Sequence, residues 1–463
     1  MIAQAAGSPA AVGSGENWLA YGRTPDIANV APVDGLTETA LSHLRLAWRR
    51  VLDEDVIAQP LYVSHLQIAG KVQPVLFVAT GQDSVFALSA RTGVTLWHHS
   101  LGQSFKNVCG GKNGITSTPV IDLAHNRLYV IGDHGYLHAL DLTTGHEVNG
   151  WPIQIIARTS VEYVWGALRI VDGDIYIPVG NTCDLPDAQG VYPDGRIVAV
   201  APAARKIVHN LDIVPGPANE GGVWALGGVS VDPNDGTLYV GTANAHVVEN
   251  GSVVENAPFG ERVLHLTPAL HVLGAEEQTF TLATDEGFGS TPLLFQPSGC
   301  PPLAAANSKN GATYVWQRGA SFGAGNLPPV LEARIGPVTV FEFASQPTYV
   351  ASARTLVVDG AAITTNGTVV RGPVGFRISA DCKFTQTWQA NLGGGIGTQP
   401  TAIGKAVATL ISDPGKLAIL DAATGHVLSV IMVGQAFSPP ITADGVLYDA
   451  DEAGTVRAYH APR

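Results

Sequence analysis

The 463-residue sequence is poor in charged residues, and its excess of acidic over basic side chains excludes some partners. Charged residues make up 14% of the chain, and 26 Lys and Arg face 39 Asp and Glu, a net charge of −13. An acidic chain without a basic cluster is not expected to bind nucleic acid or an anionic membrane surface. The chain also lacks any run of about 18 apolar residues, so we predict no transmembrane segment.

Cysteine is scarce as well. The four cysteines, Cys109, Cys183, Cys300 and Cys382, are far apart, and none belongs to a Cys-x-x-Cys or Cys-x-x-Cys-His motif. This spacing indicates neither a zinc cluster nor covalently attached haem. Two readings stay open: two disulfides in an exported protein, or four buried thiols in a reducing compartment.

Residues 1–16 are small, apolar and glycine-rich, without the charged and long apolar regions of an intact signal peptide. We predict a disordered leader here and a single domain over 17–463. Ala3-Gln4-Ala5 does have the small-x-small form of a cleavage site, so a clipped export signal is an alternative.

Glycine (53) and proline (30), by contrast, are abundant and evenly spread, which is typical of many short turns. In residues 75–97, two runs with strand character, Leu76 to Ala79 and Val85 to Leu88, flank a Gly-Gln-Asp turn. A turn at Arg91-Thr92-Gly93 then leads into a third run that ends on Trp97. This pattern predicts antiparallel strands joined by hairpins.

A second signature, a small polar pair usually followed by proline and then a β-rich run, occurs eight times along the chain. The copies lie at 58–63, 117–122, 166–171, 227–232, 290–295, 345–350, 398–403 and 438–443. A period of about 40–65 residues is typical of propeller blades. The last copy has no fourth strand after His460, whereas an additional strand, Leu44 to Val51, precedes the first copy. We therefore predict an all-β, eight-bladed β-propeller of four-stranded antiparallel blades, closed by the N-terminal strand.

The blade geometry predicts how the cysteines pair. Cys109 and Cys183 fall in loops of blades two and three on one face, and Cys300 and Cys382 in loops of blades five and six on the other face. We predict the disulfides Cys109–Cys183 and Cys300–Cys382.

Several segments resemble the PQQ-type propeller superfamily of the quinoprotein alcohol dehydrogenases. They are the Ala-x-x-x-x-Thr-Gly-x-x-x-Trp segment from Ala87 to Trp97, and Trp18 to Arg23 followed by Leu44 to Trp48. The resemblance implies PQQ and calcium at the propeller axis, oxidation of an alcohol or sugar, and a periplasmic or secreted location. Without a haem motif, electrons would pass to a separate acceptor.

Loops that join outer to inner strands, and second to third strands, emerge together on one face. The polar and aromatic candidates on that face are Asp83, Cys109, Lys112, Asn113, His134, Asn181, Asp184, Trp224, Asn244, Asp285, Glu286 and Lys309. The resemblance implies a role for some of them. Asn244, in Gly241-Thr242-Ala243-Asn244, would give calcium an oxygen ligand together with Asp184 (or Asp187), and Lys309 would contact the quinone oxygens. Asn244 as a turn cap and Lys309 as a polar hairpin tip are the simpler alternatives.

Asp285 and Glu286 fall where the superfamily carries its catalytic carboxylate, the base for the alcohol proton. The alternative is that both are solvated loop residues, which is the more common role of two adjacent acidic residues. Trp224 and Cys109 are also candidates for binding the cofactor, but the segments around them differ from the pattern of the superfamily. Cys109 lies in Val108-Cys109-Gly110-Gly111, so the superfamily's ring of adjacent cysteines cannot form. The stacking tryptophan is expected where the chain has Gly227-Gly228, and Trp224 is out of register.

The segments Gly221 to Gly228 and Gly180 to Asp184 also resemble a group of exported PQQ-like propellers for which we infer no activity. Two further functions therefore remain open. One is a cofactor-free propeller that binds a protein or glycan, similar to the lipoprotein subunit of the outer-membrane barrel-assembly machinery. The other is a metal-dependent hydrolase or lyase that uses the same carboxylates.

Overall fold

The computed structural model describes residues 16–32, 36–105, 113–181, 185–190, 192, 195–214, 220–244, 246–249, 252–255, 259–279, 286–319, 321–323, 327–336, 345–363, 369–393 and 397–461. The leader expected over 1–16 lies outside these residues except for Glu16. No helix within the described ranges is long and apolar enough to cross a membrane.

The described residues form eight four-stranded antiparallel sheets, which confirms the predicted eight-bladed propeller. A short helix, α1 (Glu38–Leu41), and strand β1 (Arg45–Val51) precede the first blade. Blades one and two are β2 (Leu61–Ile68), β3 (Lys71–Thr80), β4 (Ser84–Ser89), β5 (Thr95–Ser100) and β6 (Val120–Asp122), β7 (Arg127–Ile131), β8 (Tyr136–Asp141), β9 (Ile153–Gln154).

Blades three and four each carry an addition to the basic unit. In blade three, the short strand β10 (Glu162–Tyr163) pairs with the end of the second strand, and the blade itself is β11 (Arg169–Val171), β12 (Asp174–Asn181), β13 (Arg196–Ala201) and β14 (Lys206–Asp212). In blade four, the hairpin β17 (His246–Glu249) and β18 (Ser252–Glu255) is inserted between the second and third of its strands, β15 (Ser230–Val231), β16 (Leu238–Gly241), β19 (Arg262–Leu266) and β20 (Val272–Glu277).

The remaining blades follow the basic unit. Blade five is β21 (Leu293–Phe295), β22 (Leu303–Asn307), β23 (Ala312–Gln317) and β24 (Leu331–Arg334). Blade six is β25 (Thr348–Val350), β26 (Thr355–Ile363), β27 (Val369–Ile378) and β28 (Phe384–Gln389), with a 3-10 turn at Ala351–Ala353. Blade seven is β29 (Thr401–Ile403), β30 (Ala406–Ile411), β31 (Lys416–Asp421) and β32 (Val427–Met432), and blade eight begins with β33 (Ile441–Ala443), β34 (Val446–Ala450) and β35 (Thr455–His460).

The eighth blade is completed by the N-terminal strand, as the sequence predicted. β1 pairs antiparallel with β35, from Arg45 opposite His460 to Val51 opposite Thr455. The eight repeated signatures each contain or lead into the innermost strand of one blade. Because the last sheet takes its outer strand from the start of the fold, the ring has no unpaired edge at its junction.

A segment of extended and turning backbone, Trp18 to Ala31, runs through the centre of the ring. Trp18 exchanges two backbone hydrogen bonds with Tyr62 of blade one, and its indole Nε1 donates to the carbonyl of Thr442 in blade eight at 2.8 Å. Other inner strands donate backbone N–H groups to the segment: Ile121 to Leu19, Val231 to Pro25, Leu294 to Asp26 and Ala402 to Asn29. The segment therefore satisfies inner-strand amides that would otherwise face the axis.

Tryptophans of outer strands join neighbouring blades by packing on the Thr-Gly turn of the next blade. Trp97 of blade one lies against Gly145 of blade two, and its Nε1 donates to the Leu142 carbonyl at 2.9 Å. Trp388 of blade six packs in the same way on Gly425 of blade seven. Gly145 and Gly425 both have φ of +71°, and a side chain at either position would lie within 2.6 Å of the indole. Two constraints therefore require glycine at these positions: the positive φ of the turn and the close approach of the indole.

A disulfide joins Cys300 of blade five to Cys382 of blade six, with a Cα–Cα distance of 5.7 Å. This pairing confirms one of the two predicted disulfides. The other, Cys109–Cys183, lies outside the described residues and stays a prediction.

We expect the double variant Cys300→Ala, Cys382→Ala to unfold with about 2–4 kcal/mol less free energy, because the crosslink spans 82 positions and restricts the unfolded chain. Urea unfolding without reductant, followed by tryptophan fluorescence, measures the difference. Thiol labelling of the denatured, unreduced wild type is the control, since neither residue should react. An unchanged urea midpoint would contradict a stabilising role for the bond.

Asp359, buried between blades six and seven, should make stability depend on pH. Its carboxylate accepts a hydrogen bond from Thr409 Oγ1 at 2.8 Å, and burial raises its pKa to about 7. A raised pKa means that the folded state holds the proton more tightly than the unfolded chain does. The resulting stabilisation is complete below about pH 4 and is lost as the pH rises through about 7.

Asp359→Asn removes this titration. We therefore expect its stability relative to wild type to grow between about pH 4 and pH 7, by roughly 2–4 kcal/mol. Asp381→Asn is the matched control, because its exposed carboxylate pairs with Lys383, which lowers its pKa to about 2, outside the range tested. A stability difference that does not vary between about pH 4 and pH 7 would show that folding does not raise the pKa of Asp359.

Candidate functional site

A largely apolar cavity lies on the propeller axis, where the chain enters the inner strands. Tyr21 of the axial segment lines it from within the ring. The other lining residues come from blade three onward and from the connections into blades one and eight: Ile57, Trp165, Trp224, Leu226, Gly289, Ser345, Gln346, Gly397, Thr398, Gln399 and Phe437. A concave, aromatic-walled site at the convergence of many loops is where small ligands commonly bind.

Trp224 is held at this cavity by backbone contacts on both sides of its loop. Val223 N donates to the Val179 carbonyl of blade three at 3.1 Å, and Ala243 N of blade four donates to the Gly222 carbonyl at 2.9 Å. Gly180 approaches so closely that a side chain there would lie 3.1 Å from Trp224 Cβ. The glycine-rich Gly221 to Gly228 segment thus fixes the indole between two blades.

Lys309 lies beside this tryptophan. Its Nζ is 4.9 Å from the centre of the Trp224 ring, which is a cation–π contact. Lys309 sits at the turn between β22 and β23, where its own N–H donates to the Gly287 carbonyl at 3.1 Å. The structure therefore brings together two residues that are 85 positions apart and that the sequence singled out separately.

Asn244 and Glu286 occupy the same region, and both are buried. Ser308 Oγ donates to the Glu286 carbonyl at 2.7 Å, next to Lys309. Gly287 packs directly on the Ala243–Asn244 backbone, where an added side chain would lie 2.4 Å from Ala243 Cα. The backbones that carry Asn244, Glu286 and Lys309 are consequently in contact across blades four and five.

The cavity also holds two amide side chains that the sequence reading did not select. Neither Nε2 nor Oε1 of Gln346 has a hydrogen-bond partner among the described residues, and neither does Oε1 of Gln399. Both side chains are buried, at 4% and 2% exposure. Each precedes the proline of its blade signature, and this repeated Gln-Pro could have identified them. Buried amide atoms without a partner at a cavity indicate a site for water or a polar ligand.

Gly227, where the superfamily pattern expects a tryptophan, is packed against polar side chains. A side chain there would lie 2.7 Å from Gln346 Oε1 and 2.9 Å from Thr291 Oγ1. Gly228 has φ of +69°, and a side chain on it would meet the Ala167 carbonyl at 2.2 Å. The space at this point of the axis is therefore already filled, and Trp224 is the tryptophan of this loop that reaches the cavity.

Four of the site candidates, Cys109, Lys112, Asp184 and Asp285, lie outside the described residues. Asp187, the alternative to Asp184, is described. Its carboxylate lies 3.7 Å from Arg158 Nε, so it takes part in an ion pair.

The eight-bladed ring with an aromatic-walled cavity on its axis defines the class of fold, and comparison with known proteins shows which β-propellers it resembles. Residues 18–155 match the family described as the glucose/ethanol/alcohol dehydrogenase β-propeller domain, PQQ. A quinohemoprotein alcohol dehydrogenase, ADH-IIG of Pseudomonas putida, is 29% identical over 169 residues. That match covers 36% of this chain and 22% of the relative's length.

Solved structures extend the likeness in fold over nearly the whole chain. The quinohemoprotein alcohol dehydrogenase ADHIIG of Pseudomonas putida HK5 superposes with a TM-score of 0.73 at 16% identity, over 96% of this chain and 80% of that one. The enzyme of Comamonas testosteroni gives 0.72 at 16%, over 98% and 82%. A europium-containing methanol dehydrogenase gives 0.71 at 14%, over 94% and 89%. The PQQ family model therefore matches the first part of the chain, residues 18–155, and the solved structures show that nearly the whole chain shares the fold of these dehydrogenases.

The Lys309–Trp224 contact can be measured by a double-mutant cycle with Lys309→Met and Trp224→Leu. We expect the two changes to be coupled by about 0.5–2 kcal/mol of unfolding free energy, because methionine keeps the aliphatic stem and removes the charge above the ring. The control cycle pairs Lys309→Met with Trp165→Leu, a second tryptophan of the same cavity, and should be additive. Equal coupling in both cycles would contradict a specific cation–π contact.

Proposed function

We propose that the axial cavity binds PQQ with calcium and that the protein oxidises an alcohol or a sugar. The observation that carries this proposal is the Lys309 ammonium over the Trp224 ring at the wall of the cavity. PQQ is a planar aromatic tricarboxylate, so a flat aromatic side chain next to a fixed cation suits both its ring and its charge. The match of residues 18–155 to the PQQ family model supports the same ligand.

The residues around the cavity fit such a group. Trp224 offers a ring face and Lys309 a positive charge. The unpaired Nε2 of Gln346 offers a donor for quinone or carboxylate oxygens, and Oε1 of Gln346 and of Gln399 offer acceptors. Asn244 would contribute an amide oxygen to calcium together with Asp184, since calcium prefers oxygen ligands. Cys109 would lie near the cofactor as a single thiol or as half of a disulfide with Cys183.

When bound, PQQ supplies a two-electron acceptor for the carbon that bears the alcohol hydroxyl. The residues of the chain supply positioning and proton transfer. Lys309 would stabilise negative charge on the cofactor oxygens. Glu286 or Asp285 would accept the hydroxyl proton as a general base, and the complete burial of Glu286 removes competing water from its surroundings.

The location we propose is the periplasm or the exterior of the cell. The Cys300–Cys382 disulfide supports it, because such bonds persist in oxidising compartments. Since the sequence has no Cys-x-x-Cys-His motif, a separate acceptor would carry the electrons away.

A calcium-dependent PQQ titration tests the proposal. We expect saturable binding that quenches tryptophan fluorescence and raises the melting temperature, because a ligand of the folded state stabilises it. Lys309→Ala should weaken binding about tenfold or more through loss of the charge-assisted contact. Asn244→Ala should weaken it only when calcium is present.

Lys383→Ala is the matched control, since this lysine is exposed, pairs with Asp381 and does not line the cavity. It should bind PQQ as wild type does. Absence of binding at micromolar PQQ would overturn the proposal and favour a propeller that binds a protein or glycan. If PQQ binds, oxidation of alcohols and sugars with an artificial dye acceptor tests the reaction.

A further inference from the structure

Two turns of neighbouring blades bring a second group of ligand-type side chains together, apart from the axial cavity. Asp83 ends the turn between β3 and β4 in blade one, and Asp133 and His134 lie in the turn between β7 and β8 in blade two. One carboxylate oxygen from each aspartate and one imidazole nitrogen lie within 4.8 Å of one another. Asp83 is fully buried and Asp133 is 4% exposed.

One oxygen of each carboxylate already has a hydrogen-bond donor. Asp133 Oδ2 accepts from Ser104 Oγ at 2.8 Å and from Phe105 N at 3.1 Å. Asp83 Oδ1 accepts from Asp133 N at 3.3 Å. These contacts hold both carboxylates in fixed orientations.

The other oxygens, Asp83 Oδ2 and Asp133 Oδ1, have no hydrogen-bond partner among the described residues. Asp133 Oδ1 lies 3.7 Å from His134 Nε2, so it faces the imidazole. The imidazole is itself oriented: Nε2 is 2.8 Å from the Gln103 carbonyl oxygen, and the ring packs on Phe105 with centroids 5.2 Å apart. Two buried carboxylates this close repel each other unless a proton or a cation lies between them.

We propose that Asp83, Asp133 and His134 bind one divalent transition-metal ion, of which Zn²⁺ is the best fit, and that this ion joins blades one and two. Two carboxylate oxygens and one imidazole nitrogen are a ligand set that suits Zn²⁺, with water or the Gln103 carbonyl in the fourth position. Calcium is disfavoured because it needs six to eight ligands and prefers oxygen alone. The site is separate from the calcium position proposed at Asn244 and does not depend on PQQ.

The test uses the full chain, stripped of metal with a chelator and titrated with ZnCl₂ in the absence of PQQ. We expect one ion per chain with micromolar or tighter affinity, and a rise in melting temperature, because the ion binds only where the two turns meet. Co²⁺ should bind to the same wild-type protein with the visible absorption of a nitrogen- and oxygen-ligated site. Calcium should give no comparable stabilisation that depends on these residues.

Asp83→Asn and His134→Ala should each weaken zinc binding about tenfold or more. His125→Ala is the matched control. His125 Nδ1 lies 2.6 Å from Asp122 Oδ2 in an exposed carboxylate–imidazole pair of the same blade, and this variant should bind zinc as wild type does. The Co²⁺ spectrum of wild type gives an answer even if a variant does not fold.

Two results would overturn the proposal. One is the absence of saturable zinc or cobalt binding to wild type. A gain in stability in Asp83→Asn would then mean that the two carboxylates share a proton. The other is zinc binding that is weakened as much by His125→Ala as by His134→Ala. Neither result bears on PQQ binding at the axial cavity.

Discussion

The architecture depends on the backbone that fills the centre of the ring. Innermost strands of a propeller present amide groups to the axis, and here the segment from Trp18 to Ala31 supplies carbonyl partners for several of them. The segment occupies the centre of the ring, where a propeller would otherwise have a water-filled channel. It contacts blades on opposite sides of the ring, for example blades one and five. These hydrogen bonds hold the inner strands of several blades to one segment, and residues next to those strands line the axial cavity.

The position of Trp224 follows from this packing. Its loop is glycine-rich because the backbones of blades three and four approach it closely on both sides, near Gly180 and Gly222. With the loop fixed and the space at Gly227 filled by Gln346 and Thr291, the indole can reach the axis from position 224. Trp224 therefore lines the cavity although it lies three residues before position 227, where the tryptophan is expected. Gln346, which occupies the space next to Gly227, lines the same cavity.

The eight-fold repeat could be predicted from the sequence because each blade needs similar residues at its turns and inner strand. A hairpin needs its turn residues, and glycine is needed under the indole of the preceding blade, as at Gly145 and Gly425, so similar turn residues recur in the blades. The closing pair of β1 with β35 followed from counting strands. The disulfide between Cys300 and Cys382 followed from knowing which loops share a face.

The axial cavity was less predictable, because its properties come from residues that are distant in sequence. Nothing local shows that Lys309 reaches Trp224, or that Gln346 is left without a partner in the described structure. The axial path of residues 18–31 is also not predictable from the sequence, because its hydrogen bonds to blades one, two, four, five, seven and eight leave no periodic pattern. Asp83 and His134 were recognised as residues of one face, and only the packing of blade one against blade two brought them into one cluster.

The bond between Trp18 and Thr442 spans 424 positions, which has a consequence for how the molecule is made. On the ribosome, the segment destined for the axis emerges long before the blades that will surround it. Until the last blade is synthesised, the apolar side chains of this segment and the edge of β1 stay exposed in the nascent chain. Closing so long a loop is also slow, because its entropic cost precedes the contacts that it makes possible. Partly built rings with an unpaired strand are prone to pair with one another. A protein of this design therefore has reason to rely on chaperones during synthesis, even though its finished form leaves no edge at the junction of the ring.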